Sequence, residues 1–192
     1  SYLFADDYAA DKFCPPATAQ EDILTEMKNT EKTHQWGKLN RATFEKTKDS
    51  FLTISYTKAK GEPFRLLGPI IDPKLKMNVA IEAIRNKAMP RLQAIIAAMK
   101  ELGQKAATQL YQSQVRSVLE CFTPAIYHAE KGFLNRIDDV QNKFFAFLQI
   151  TQEESILNYN MAPLPMRRDM AMLGLLFRIA RKEAPTPFQK TL

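Results

Sequence analysis

Leu3-Phe4-Ala5-Asp6-Asp7-Tyr8 places two adjacent carboxylates inside an apolar run. Neighbouring side chains of a strand point to opposite faces, so an Asp-Asp step within a strand would drive one carboxylate into the core. A tight turn removes the conflict. Asp tolerates turn geometry and positive φ, so apolar-Ala-Asp-Asp-apolar reads as a β-hairpin with the acids at its tip. Like charges this close repel unless a cation sits between them, and hard carboxylate oxygens suit Mg²⁺ or Mn²⁺. The same residues also satisfy a solvated Asp-Asp turn that binds nothing, so the surrounding chain decides what the hairpin means.

The 192 residues are 45% hydrophobic, enough to bury a core in one domain or little more, and disorder is not expected. No apolar run is long enough to span a bilayer and no signal peptide precedes the first motif, so an intracellular protein, nuclear or cytoplasmic and not secreted, is expected. Cys14 and Cys121 lie far apart with no Cys-x-x-Cys or neighbouring His, which argues against a disulfide framework and a zinc site. The net charge is +6; residues 1–79 carry 12 basic and 11 acidic side chains, residues 80–192 carry 15 and 10. A basic second half beside an acidic metal site suits chemistry on a polyanion, although a soluble basic surface alone would look the same. No hydrolase or Walker motif is present.

After the hairpin, Cys14-Pro15-Pro16 breaks the chain, and a helix is expected from Ala19 to about Asn40 with Ile23, Leu24, Met27 and Trp36 as its apolar positions and Gly37 as its exit. The segment Phe44-Glu45-Lys46-Thr47-Lys48-Asp49 then leads into an expected strand over 50–55. Gly61 to Asp72 reads as a second hairpin turning at Gly68-Pro69, with Leu66, Leu67, Ile70 and Ile71 as core residues. Phe-Ala-Asp-Asp resembles the catalytic hairpin of reverse transcriptases, where Tyr or Phe precedes Ala-Asp-Asp. The Trp36-Gly37-x-x-Asn40 and Phe44-x-x-x-Lys48 wording is similar to the non-LTR (LINE-type) retrotransposon members of that family, and so is Phe64-x-x-Leu67-Gly68-x-x-Ile71-Asp72.

From Lys74 the pattern changes to long helices, and a boundary is expected near residue 75. Met77, Ile81, Ile84, Ala88, Leu92, Ile95 and Met99 recur every three or four residues as one apolar stripe, kinked at Pro90 and broken at Gly103. Leu110, Val115, Val118, Leu119 and Phe122 mark a second helix that Pro124 bends or ends; Phe133, Ile137, Val140, Phe144 and Leu148 mark a third. Thr151-Gln152-Glu153-Glu154 reads as a capping box, and Pro165 opens a last helix whose Met170, Leu173, Leu176, Phe177 and Ile179 form its apolar face. A helix bundle explains all these stripes without a ligand. Arg116 and Glu120 suit an i,i+4 pair, and Arg167-Arg168 could pair locally with Asp169. His128 reads as a packed or capping histidine and His34 as a surface one. Tyr111-x-x-x-Val115-Arg116-Ser117-x-Leu119-Glu120, Pro124 to His128, and Ala162-Pro163-Leu164-x-x-Arg167-Arg168-Asp169-x-Ala171-Met172-Leu173-Gly174 resemble segments that follow the polymerase core in the same retrotransposon proteins.

The resemblance implies an α+β chain. Residues 1–75 would be the C-terminal part of a polymerase palm, β-hairpins plus a helix, and 76–192 an all-α thumb and the helical connection beyond it. It implies an RNA-directed DNA polymerase, with an RNA template, a DNA primer, deoxynucleotide triphosphates and the remainder of the polymerase polypeptide as partners. Asp6 and Asp7 would be catalytic metal ligands for Mg²⁺ or Mn²⁺, and Lys48 would serve the pyrophosphate leaving group. Phe64, Leu67 and Gly68 would hold the primer end, while Arg65, Arg85, Lys87, Arg91, Lys100 and Lys105 are candidates to contact nucleic acid. The family draws a further catalytic Asp from a strand upstream of the hairpin, which these residues do not include. The chain is therefore expected to be a fragment that does not polymerise DNA by itself.

Overall fold

The computed structural model describes residues 2–4, 7–12, 14–15, 18–42 and 44–183, the first of these up to Tyr8 by backbone alone. The chain is α+β and mostly helical, with two separate two-stranded antiparallel sheets among the described residues. It divides into two compact units, 1–49 and 50–192. Among the described residues no helix is long and apolar enough to cross a membrane.

In the first unit, β1 (Tyr2–Phe4) pairs with β2 (Asp7–Ala9) in the register Tyr2↔Ala9, Leu3↔Tyr8, Phe4↔Asp7. Helix α1 (Ala19–Leu39) has the expected bounds. Glu21 and Asp22 occupy its first turn, where carboxylates meet the positive end of the helix dipole, and Lys38 its last. Asn40 ends it by donating its side-chain amide to Trp36 O at 2.8 Å. Gly37 lies inside the helix rather than at its exit. The chain doubles back so that Ala42 N donates to Gly37 O at 2.8 Å, and a Cβ at Gly37 would collide with Ala42 O and come within 2.9 Å of the Phe44 ring.

In the second unit the strand expected over 50–55 is reduced to one bridge, Thr53↔Lys60. The reason is local: Ser55 Oγ accepts from the backbone N–H of Thr57 at 3.3 Å and of Lys58 at 3.2 Å, a hydroxyl turn that bends the chain out of the ladder. The second hairpin forms as expected, β3 (Phe64–Arg65) pairing with β4 (Ile70–Ile71). Its loop closes through Leu66 N–H to Pro69 O at 2.9 Å, with Leu67 at φ 48 and Gly68 at φ 118. A Cβ on Gly68 would sit 2.7 Å from the Phe122 ring. Gly68→Ala therefore combines a steric overlap with a backbone conformation that side chains disfavour, and should cost about 2–3 kcal/mol in urea unfolding. Adding Phe122→Ala should relieve the overlap, making the double variant less than additive; full additivity would leave only the backbone effect.

Asp72 connects this hairpin to the helices. Its carboxylate is buried and accepts from the N–H groups of Lys74 and Lys76 at 3.1 Å and of Met77 at 2.7 Å. Those bonds hold Leu75 and Met77 in left-handed backbone conformations, φ 51 and 59, that neither residue favours alone. Helix α2 (Asn78–Ala97) then runs through Pro90. Helix α3 (Met99–Leu110) is broken at Gly103, φ 71 and ψ 163, as the sequence suggests. A wide π-helical segment (Tyr111–Arg116) follows, then α4 (Ser117–Glu120), α5 (Thr123–Ile126) with Pro124 in its first turn, α6 (Lys131–Leu148), α7 (Gln152–Tyr159) and α8 (Leu164–Ala180).

The core lies between α2, the π segment, α4 and α6, where Ile81, Ala88, Leu92, Val115, Ile137 and Phe144 are fully buried. Each large aliphatic side chain there contributes about 1.5–3 kcal/mol by leaving water. Tyr111 stacks on Phe144 with centroids 4.2 Å apart and planes at 9°. Its hydroxyl donates to Gln141 Oε1 at 3.3 Å, and Gln141 Nε2 donates to Ala162 O at 3.0 Å, so the polar atoms within this core are partnered. Burial also pushes the Tyr111 phenol well above its ordinary range, keeping it a neutral donor. The Thr151 capping box is fully formed, with Glu154 N donating to Thr151 Oγ1 at 3.2 Å and Thr151 N to Glu154 Oε2 at 2.8 Å.

The last helix departs from expectation. Of the expected face only Ile179 is buried; Met170, Leu173, Leu176 and Phe177 are exposed, and α8 buries Leu164 and Arg168 in their place. Polar ties hold it. Arg168 makes a two-pronged ion pair with Asp138 of α6 at 2.6 and 2.9 Å, Arg167 pairs with Glu120 of α4, and Asp169 accepts from the Tyr127 hydroxyl at 2.9 Å. The local pairing considered for Arg167, Arg168 and Asp169 is thus replaced by three ties to other elements. Arg116 does approach Glu120 at 4.0 Å, as its i,i+4 spacing suggests.

Candidate functional site

Phe4, at the end of β1, faces Asp7, at the start of β2. That register puts the Asp7 backbone at the end of the ladder rather than in its middle. Asp7 is the first residue of β2. Asp6 and the side chain of Asp7 lie outside the described residues. Two carboxylates are the right donor chemistry for a hard divalent cation, and they supply at most part of the six oxygens Mg²⁺ requires. Among the described residues, no group of three or more His, Cys, Asp or Glu side chains could hold a metal.

Lys48 sits on a single tight turn (Lys46–Lys48) closed by Lys48 N–H to Glu45 O at 3.0 Å and Asp49 N–H to Lys46 O at 3.2 Å. Its side chain is 80% exposed, and its ammonium pairs with Glu45 Oε2 at 2.7 Å. That hydrogen bond, with a smaller contribution from Thr47, keeps the Glu45 carboxyl below its usual range. Behind the turn, His34 is buried rather than superficial and its Nε2 lies 2.7 Å from Asp49 Oδ2. A carboxylate only accepts, so the ring nitrogen donates.

In the second hairpin, Phe64 is half-buried, Arg65 and Leu67 are exposed, and the open side of Gly68 is filled by Phe122. The close approach that Gly68 permits is therefore used within the protein. Of the cations on the helices, Lys87, Lys100 and Lys105 are exposed. Arg85 is half-buried and lies 3.8 Å from Glu82. Arg91 donates from Nη1 to Gln114 O at 2.9 Å, a carbonyl in the π segment. Lys87 and Arg91 are one turn apart on one face of α2, whereas Arg85, two residues from Lys87, faces elsewhere. The break at Gly103 separates Lys100 from Lys105. The candidate cations consequently form no single stripe, and two of the six are already engaged within the protein.

Several residues with structural roles escaped the sequence reading: Asp72, which caps the entry to α2; Gln141, which bridges Tyr111 to Ala162; and the Arg168–Asp138 and Arg167–Glu120 pairs. Asp72 carries a local signal, since Asp followed by Pro and a polar segment before a helix is an Asx-turn composition. The ion pairs span 30 and 47 residues and leave no trace in local spacing. His128, considered as packed or capping, is exposed with its Nε2 2.9 Å from Leu75 O, so it caps the Asp72 loop from outside.

No family model matches the chain, and no match is found among the curated proteins or the solved structures.

Proposed function

We propose that this chain is the end of the palm and the thumb of a reverse transcriptase of the non-LTR retrotransposon type. The observation that carries the reading is the Phe4↔Asp7 register, because antiparallel strands on either side of the Ala-Asp step are what a catalytic reading of the motif needs. The order of elements supports it: acidic hairpin, helix, lysine-bearing turn, Leu-Gly hairpin, helical bundle. Asp6 and Asp7 would hold Mg²⁺ or Mn²⁺. A metal bound there would supply charge stabilisation for attack of a primer 3′-hydroxyl on the α-phosphate of a deoxynucleotide. Lys48 is suited to neutralise the departing pyrophosphate or donate a proton to it, since its ammonium is exposed and its pairing with the exposed Glu45 carboxylate is open to competition from a phosphate. Arg65, Lys87, Lys100 and Lys105 would contact template–primer phosphates; Arg85 and Arg91 would contribute only with donors left over from their present bonds.

The test uses the chain itself. It is expected to bind an RNA–DNA duplex, and to extend a primer only when a strand bearing the further catalytic Asp is joined to it. With about four phosphate contacts, affinity should fall about 10²-fold between roughly 50 and 200 mM salt. Lys87→Ala should reduce the slope of log affinity against log salt by about one. Absent or salt-independent binding would turn the reading toward a non-catalytic retroelement relic whose helical unit binds protein. Primer extension by the chain alone would contradict the proposed dependence on an upstream Asp.

A further inference from the structure

Helix α1 buries just two residues, His34 and Gly37, and they pack against Ala42, Phe44 and Asp49. Gly37 makes room for Ala42 and Phe44, the Phe44 ring meets the His34 ring edge-on with centroids 6.1 Å apart and planes at 87°, and His34 Nε2 bonds Asp49 at 2.7 Å. The helix's apolar residues Ile23, Leu24, Met27 and Trp36 are exposed. So the burial α1 provides goes to one short loop instead of an apolar stripe, and that loop carries Lys48. We infer that His34, acting through Asp49, is a positioning residue for Lys48: it ties the end of the turn Lys46–Lys48 to α1, so that the ammonium is presented from a fixed backbone. Lys48 has four rotatable side-chain bonds, and an exposed lysine can assist a leaving group only if its backbone is not also wandering. A carboxylate bonded by a buried imidazole at the residue after Lys48 provides that fixed point.

The inference rests on the role proposed for Lys48, and two measurements separate them. On the chain itself, His34→Phe retains the ring against Phe44 and removes the nitrogen. The amides of Lys48 and Asp49 should then exchange at least about tenfold faster while those of α1 keep their rates. Asp49→Ala should reproduce this from the other side of the bond, and His34→Gln, whose amide nitrogen can reach the same carboxylate, should restore protection. Unchanged exchange in both His34→Phe and Asp49→Ala would overturn the inference whatever Lys48 does. In a polymerase that includes this chain and the upstream strand, His34→Phe should slow nucleotide incorporation about tenfold, with less change in nucleotide KM, and should add at most about twofold to the defect of Lys48→Met. A purely structural bond would instead slow both backgrounds equally, which would overturn the positioning role. If Lys48→Met leaves the rate unchanged, the reading of Lys48 itself fails, and the catalytic part of the inference with it.

Discussion

Asp138→Ala is expected to destabilise the helical unit by about 3–5 kcal/mol, the range for removing one partner of a buried ion pair. The Arg168 side chain is only 7% exposed and directs two nitrogens at the two carboxylate oxygens of Asp138. With the carboxylate gone, the guanidinium remains in a site built to exclude water, without its counter-charge. Asp138 is 14% exposed and borders a groove of about 300 Å³ lined also by Asn135, Gln152 and Pro165. Arg168→Met leaves the acid able to reach solvent, so its loss should be smaller than that of Asp138→Ala. The double variant Asp138→Ala/Arg168→Met should recover part of the stability, because it leaves no buried charge unpaired. Urea unfolding of the four proteins checks this. A loss below about 1 kcal/mol for Asp138→Ala would mean that water reaches Arg168 through the groove and that the pair behaves as an exposed one.

This pair also explains why the sequence predicts α8 as a helix but not its packing. Period and caps are local properties, and both were legible: Pro165 in the first turn, apolar residues every three or four positions. Which face finds a neighbour is not local. Met170, Leu173, Leu176 and Phe177 make the more hydrophobic face and are exposed, because Arg167, Arg168 and Asp169 find partners on α4, on α6 and at Tyr127. Helix α1 repeats the lesson, with its bounds foreseen from Ala19 and its buried residues, His34 and Gly37, foreseen by neither hydropathy nor period. The hairpin at Phe64–Ile71 was legible because Gly68-Pro69 is an explicit turn signal, whereas the strand over 50–55 was not, since a serine hydroxyl ended it. Among the candidate cations, Lys87, Lys100 and Lys105 stand exposed. Arg91 does not, because its partner is a carbonyl of a π-helical segment that no spacing rule predicts.

Asp6→Asn, in a polymerase that includes this chain and the upstream strand, is expected to lower primer extension by about 10³-fold, or roughly 4 kcal/mol of transition-state stabilisation. Asn matches Asp in size and also suits tight turns, so the hairpin defined by Phe4↔Asp7 should persist. What changes is charge: a neutral amide cannot balance a divalent cation, and the metal-dependent part of catalysis is lost while the surface that meets the duplex is kept. Duplex affinity should accordingly stay within about twofold, and its salt dependence should not change, because the phosphate contacts assigned to Lys87, Lys100 and Lys105 lie elsewhere in the sequence. Lys48→Met should cost less, about 10²-fold, as expected for a group that assists a leaving group rather than holding the metal. The comparison with Asp7→Asn orders the pair. As the first of the two acids, Asp6 is assigned as the more direct ligand, so the Asp7 variant should retain more activity. If Asp6→Asn extends primers at the parental rate and Asp7→Asn does not, the two roles exchange; if both extend them, the hairpin is a solvated turn, and the chemistry proposed for this chain does not occur there.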